Sequence, residues 1–156
     1  MKKILILISL VVGCTPKPEP VEPPHWSAVE LLRNQHKGEL SEWQKFQMAI
    51  IWTESKANPS AVGKDNDGGL YQMIPVYVEE VNRVCGTSYT HADVFDPDKA
   101  IEIFNAMQGH YNPDKDFDTA LRYHNRSEAY KATVMQNYEL ICRMEEVRGK
   151  LIKNNY

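Results

Sequence analysis

An apolar helical run that ends in a carboxylate and a glycine-rich loop constrains this chain more than any other feature. Phe46, Ile50 and Glu54 are spaced four residues apart, so they share one face of a helix. Trp43 and Ala49 make that face apolar. A glutamate that continues an apolar stripe is placed where ionisation is disfavoured, which makes Glu54 a candidate proton donor. The alternative is a helix-end glutamate that turns out to solvent.

The loop after this helix carries a motif that indicates an activity. The motif consists of Glu54-Ser55, Asn58-Pro59-Ser60-Ala61-Val62, Gly69-Leu70-Tyr71-Gln72 and Pro75. It resembles the catalytic motif of the soluble-type lytic transglycosylases, relatives of goose-type lysozyme, and aligns with it without insertion or deletion. The sequence departs from the family pattern at Gly63, Asn66 and Tyr71. These departures bear on loop shape and on the lining of the cleft.

The resemblance implies an all-α, lysozyme-like domain with a catalytic glutamate at the end of its central helix. Glu54 would be the catalytic acid and base. The substrate-binding residues implied around it are Ser55, Gly69, Leu70, Tyr71 and Gln72. No metal or cofactor is needed for this chemistry.

A second element of the same family is found at Tyr123-His124-Asn125. In the family a Tyr-Asn pair closes the cleft opposite the glutamate. Asn125 matches the asparagine, whereas the tyrosine position falls on His124, with Tyr123 one residue earlier. Either residue could supply the contact. The resemblance extends from about Ser41 to Cys142.

The reaction implied is cleavage of peptidoglycan between N-acetylmuramic acid and N-acetylglucosamine, with formation of a 1,6-anhydro ring. A lysozyme-type hydrolase on the same fold is the first alternative, and it needs a second carboxylate, for which Asp65 and Asp67 are the nearest candidates. A non-catalytic envelope lipoprotein that only binds glycan is the second alternative.

Helical patterns follow one another along the chain. They are predicted over Ser27–His36, from Ser41 to a stop at Asn58-Pro59, and over Pro75–Cys85, Pro97–Tyr111, Asp116–His124 and Ser127–Lys153, with a loop or short helix over Thr87–Asp96. No stretch alternates with period two, so the fold is expected to be nearly all helical.

The N-terminus has the features of an exported, lipid-anchored protein. Residues 1–14 combine a basic start, a short apolar run and a lipobox-like sequence that ends at Cys14, the predicted lipidation site. Residues 15–26 form a proline-rich linker, and residues 27–156 form the lysozyme-like domain. We expect a monomer in the cell envelope, anchored to a membrane that faces the periplasm. Thr15 after the cysteine favours the outer membrane.

The remaining composition narrows the possible partners. A net charge of −3 without a dense Lys/Arg cluster gives no electrostatic basis for binding nucleic acid. No His/Cys spacing indicates zinc, and a calcium loop that starts at Asp65 would have Val76 where its glutamate should be. In an oxidising compartment, Cys85 and Cys142 are predicted to form a disulfide, with two buried free thiols as the alternative.

Overall fold

The computed structural model describes residues 40–153, with side chains to Lys150, and this range forms five α-helices. They are α1 (Glu42–Ser55), α2 (Pro75–Cys85), α3 (Pro97–Tyr111), α4 (Phe117–His124) and α5 (Glu128–Lys153), with a 3₁₀ helix, His91–Phe95, before α3. The predicted signal peptide, linker and first helix lie outside the described residues. Within the described range no strand is formed, and only two isolated bridges occur, in the loop after α1. The expectation of an all-helical fold is therefore confirmed.

Most helix boundaries follow from local capping chemistry. α2 and α3 each begin with a proline, which suits a first-turn position because that residue needs no hydrogen-bond donor. Gly86 ends α2 in the left-handed conformation with φ 67°. Asp116 and Ser127 were predicted inside α4 and α5. Asp116 instead caps α4, its side chain accepting from the backbone N–H of Thr119, and Ser127 precedes the first residue of α5.

The central helix α1 starts as predicted but ends earlier. Ser41 and Gln44 form the expected capping box at its N-terminus. The helix stops at Ser55, three residues before Asn58, because Lys56 and Ala57 take left-handed conformations with φ 54° and 62°. Ala57 is buried, so the turn that follows α1 packs against the core and is not exposed to solvent.

α1 runs through the centre of the core. Phe46 and Ile50 are fully buried, and Phe46 stacks on Phe117 at a ring-centroid distance of 4.0 Å. α5 packs along α1, and Asn137 donates a hydrogen bond to Thr53 across this contact at 2.9 Å. Stacked aromatic pairs contribute about 0.5–1.5 kcal/mol beyond their buried area. The C-terminal end of α1 is therefore held rigidly, and any side chain it carries is held with it.

The loop between α1 and α2 packs on the 3₁₀ helix through two glycines. A Cβ on Gly68 would lie 2.5 Å from the Phe95 ring, and a Cβ on Gly69 would overlap the carbonyl oxygen of Val94. Gly69 also has φ 72°, a conformation that favours glycine. Gly68 and the motif residue Gly69 are thus required for close backbone approach.

The predicted disulfide is not formed, and this prediction is corrected. Cys85 is an exposed free thiol at the end of α2, with its sulfur 3.5 Å from the carbonyl oxygen of Ala106 on α3. Cys142 is a free, half-buried thiol on α5, where it lines a depression together with Lys45 of α1. The two cysteines belong to different helix pairs, α2–α3 and α1–α5. The prediction rested on an oxidising compartment and on the number of cysteines, and neither of these shows how far apart two cysteines lie in the fold.

None of the helices within residues 40–153 is both long and apolar enough to cross a bilayer.

Candidate active site

Glu54 lies in the last turn of α1 with 17% of its side chain exposed. Its position follows from the apolar stripe of the helix, since Phe46 and Ile50 on the same face have no exposed surface. The carboxyl group leaves the core at the edge of this stripe and lines a cleft. The side chain does not turn out to bulk solvent.

His124, the last residue of α4, contacts the carboxyl group directly. Its Nε2 lies 3.1 Å from Glu54 Oε1, and only 8% of the imidazole side chain is exposed. Tyr123 instead stacks on Tyr111 at 4.9 Å and remains 46% exposed. Of the two residues that the sequence left open, His124 is the one next to Glu54, while Tyr123 lies on the outer rim.

Two tyrosines enclose the Glu54–His124 pair. The rings of Tyr77 and Tyr130 lie 6.4 and 6.0 Å from the imidazole, measured between centroids. Both hydroxyls are buried, and neither completes a hydrogen bond of normal geometry within the described part of the chain. Burial raises the pKa of Tyr77, and burial together with the nearby Glu54 carboxylate raises the pKa of Tyr130. Both tyrosines therefore stay protonated.

The opposite wall of the cleft comes from the loop after α1. Gln72 has φ 48°, and its amide donates to the carbonyl oxygens of Gly69 at 2.9 Å and Ala61 at 3.1 Å. These bonds commit the amide nitrogen to the loop and leave the amide oxygen to a ligand. Asp65 and Asp67 also line this wall, and the backbone N–H of Asp65 donates to Asp67 Oδ1 at 3.0 Å.

These walls form an open cleft of about 500 Å³. Its lining residues are Glu54, Asp65, Asp67, Gln72, Met73, Ile74, Val76, Tyr77, Tyr123, His124 and Asn125. A volume in this range accommodates a small ligand or a short section of a polymer. Carboxyl, amide, imidazole and hydroxyl groups therefore share this cleft with the apolar side chains of Met73, Ile74 and Val76.

The family model described as "Transglycosylase SLT domain" matches residues 32–132, which is more than half of the chain. The chain belongs to the transglycosylase SLT family. No curated protein and no solved structure matched it.

Membership in the family establishes the function at a coarse level. The SLT domain is an all-α, lysozyme-like domain with a transglycosylase-type, glycan-cleaving activity, and its substrate is the peptidoglycan of the cell envelope. Among residues 40–150, no group of three or more His, Cys, Asp or Glu side chains is arranged to hold a metal ion.

Four of the residues predicted to bind substrate lie behind the cleft of the SLT domain. Ser55 is 8% exposed, and its hydroxyl donates to the carbonyl oxygens of Leu70 at 2.9 Å and Ile51 at 3.2 Å. Tyr71 is fully buried, and its hydroxyl donates to Gln47 at 2.8 Å. Leu70 and Gly69 are buried with them. These four residues attach the loop to the core and do not line the cleft.

The structure does bring together the other predicted site residues, Glu54, Gln72, Tyr123, His124 and Asn125, at one cleft. Sequence reasoning missed Tyr77 and Tyr130. Both sit on helices whose aromatic spacing indicates core, and they are indeed largely buried. Only the placement of their rings around His124 distinguishes them from other packing residues, and no sequence signal carries that information.

Proposed function

We propose that this protein is a lytic transglycosylase that cleaves the β-1,4 bond between N-acetylmuramic acid and N-acetylglucosamine and forms a 1,6-anhydro product. The observation that carries the proposal is the setting of Glu54. It is a largely buried carboxyl group at the end of the central helix, hydrogen-bonded to His124 at 3.1 Å and open to a substrate-sized cleft. That setting suits a group that must hold a proton and then release it to a bound substrate.

In the proposed reaction Glu54 first donates its proton to the glycosidic oxygen as the bond to the muramic residue breaks. The resulting carboxylate then accepts the proton of the C6 hydroxyl of the same muramic residue, and the C6 oxygen closes the anhydro ring. Glu54 is thus reprotonated at the end of each cycle, and water is not consumed. The substrate's own acetamido group is expected to assist at the oxocarbenium-like centre.

Side chains around the acid have roles that follow from their positions. Gln72 offers its amide oxygen from the loop wall, and Asn125 lines the end of the cleft next to His124. The rings of Tyr77 and Tyr130 enclose the imidazole of His124, and Tyr77 also lines the cleft.

Hydrolysis of the same bond is the second candidate, because Asp65 and Asp67 line the cleft across from Glu54. A general base must hold a water rigidly on the opposite face of the sugar. Asp67 is instead folded back on its own loop, where Oδ1 accepts the backbone N–H of Asp65. This close approach needs Gly63, since a Cβ there would overlap the Asp67 carboxylate. Asp67 therefore shapes the loop, which favours the anhydro route.

The test is mass analysis of muropeptides released from purified peptidoglycan. We expect anhydro-muramic ends, which are lighter by one water, about 18 Da, than the reducing ends that hydrolysis leaves. Asp65→Asn and Asp67→Asn should both continue to give anhydro ends. Mainly reducing ends that disappear in either variant would overturn the proposal in favour of a hydrolase.

We also propose that Cys14 anchors the protein to a membrane of the cell envelope and that residues 15–26 hold the domain away from it. The support is the basic, apolar and lipobox-like order of residues 1–14 and the proline density after it. A tethered enzyme can reach a polymer that does not diffuse.

We expect Cys14→Ala to abolish fatty-acid labelling and to shift the protein from the membrane fraction to the soluble fraction. The matched control is Cys142→Ala, which removes a different cysteine and should leave both properties as in the wild type. A Cys14→Ala protein that is still labelled and still sediments with membranes would refute the anchor.

A further inference from the structure

We propose that His124 is a positioning residue that shares one proton with Glu54, so that the pair as a unit holds the proton used for catalysis. The inference rests on the proposed function, because it concerns the acid of the same reaction. It goes further by assigning the pH range of activity to a residue that departs from the family pattern. A tyrosine at this position could donate a hydrogen bond, but an unperturbed phenol does not titrate near neutral pH.

The geometry brings the two groups into direct contact. His124 Nε2 lies 3.1 Å from Glu54 Oε1. Exposure is 8% for the imidazole side chain and 17% for the glutamate side chain. A hydrogen bond that is largely screened from water couples its partners more strongly than one in bulk solvent.

The surroundings leave few charges to compete for this proton. The imidazole is enclosed by the rings of Phe104 on α3, Tyr77 on α2 and Tyr130 on α5. The two tyrosines stay neutral, because burial raises the pKa of both hydroxyls. The other titratable groups of the cleft are Asp65 and Asp67 on the opposite wall and Tyr123 at the rim. Among the described residues Glu54 is the carboxyl group in contact with the imidazole.

The proton has two arrangements with the same total count. Either the Glu54 hydroxyl donates to a neutral imidazole, or an imidazolium donates to the Glu54 carboxylate. Imidazoles as a class titrate between pH 5 and 8, whereas carboxyl groups titrate near pH 4. When two such groups interact strongly, their protons leave in steps that belong to the pair and not to either residue. The acid step takes this proton and the base step returns it, so the pair ends each cycle as it began.

The test compares pH–rate profiles of the full chain on purified peptidoglycan. His124→Gln keeps a nitrogen donor near the Nε2 position but cannot titrate. We expect its alkaline limb to move to lower pH by up to about two units, the interval between an ordinary imidazole and an ordinary carboxyl group. The matched control is His110→Gln, an exposed histidine on α3 outside the cleft, and its profile should match the wild type. A His124→Gln profile that superimposes on the wild-type profile would overturn the proposal.

A second measurement needs neither substrate nor turnover. The imidazole nitrogen signals of His124 are followed by NMR during a pH titration of the wild type and of Glu54→Gln. We expect the wild-type signal to titrate at higher pH, because losing the Glu54 charge removes the partner that holds the proton. Titration at the same pH in both proteins would overturn the shared proton even if peptidoglycan is cleaved. Absence of cleavage by the wild type would instead overturn only the proposed function.

Discussion

Replacement of Glu54 by glutamine is expected to lower turnover of peptidoglycan by about a hundredfold or more, the loss that follows removal of general acid catalysis. Glutamine keeps the size of the side chain and an oxygen that can accept from His124, but it has no proton to give to the glycosidic oxygen. The fold should persist, because the carboxyl group lies at the edge of the cleft and the helix below it is fixed by Phe46 and Ile50. The measurement is the initial rate of muropeptide release at matched concentrations of folded protein.

The matched control for this change is Glu79→Gln. Glu79 is an exposed glutamate on α2 that does not line the cleft, so the same loss of one negative charge should leave the rate unchanged. Circular dichroism of both variants checks that each remains folded. A Glu54→Gln enzyme with a rate near that of the wild type would move the chemistry to another group.

Among the glycine substitutions considered, Gly69→Ala is expected to cause the largest loss of stability, about 2–4 kcal/mol. Two causes add up to this loss. The residue has φ 72°, which an L side chain adopts at a cost of about 1–2 kcal/mol. The new Cβ would also overlap the carbonyl oxygen of Val94, a backbone atom that cannot move without shifting the 3₁₀ helix. The free energy of unfolding, measured by urea denaturation, should fall accordingly. Activity should fall as well, since the same loop carries Gln72.

Two other glycines separate these causes. Gly86 has φ 67°, but a Cβ there would meet nothing within 4 Å, so Gly86→Ala should show the conformational cost alone. Gly109 lies within α3, and a Cβ there also meets nothing, so Gly109→Ala should be neutral or slightly stabilising. If Gly69→Ala costs no more than Gly86→Ala, the loop does not depend on its close approach to the 3₁₀ helix.

The helices could largely be predicted from the sequence because their signals are local. These signals are proline in the first turn of a helix, glycine after the last turn and the Ser41–Gln44 capping box. Each of them acts on the backbone within about one helical turn. The main error was the end of α1, which the Asn-Pro signal placed too late. The tertiary structure ends it at Ser55, where the hydroxyl bonds to Leu70 across the loop and Ala57 enters the core.

The candidate site could be predicted only in part. The apolar stripe made Glu54 a candidate, and the resemblance of the loop motif implied roles for Glu54 and Gln72. The same motif could not distinguish residues that line the cleft from residues that support it. Ser55 and Tyr71 are adjacent in the motif to lining residues, yet they face the opposite way, toward backbone carbonyls and Gln47. Spacing along the chain does not encode which side of a tight loop meets the solvent.

The sequence by itself determined the all-helical class, the positions of four of the five described helices to within about one residue, and the placement of Glu54 at the end of the central helix. Helical period, capping and loop glycines are short-range constraints, so they can be recognised without knowing which helices pack together. Only the tertiary structure decided that His124 and not Tyr123 contacts Glu54, that Tyr77 and Tyr130 enclose this pair, and that the two thiols are apart. Each of these relations joins different helices, and it depends on how their buried faces pack together.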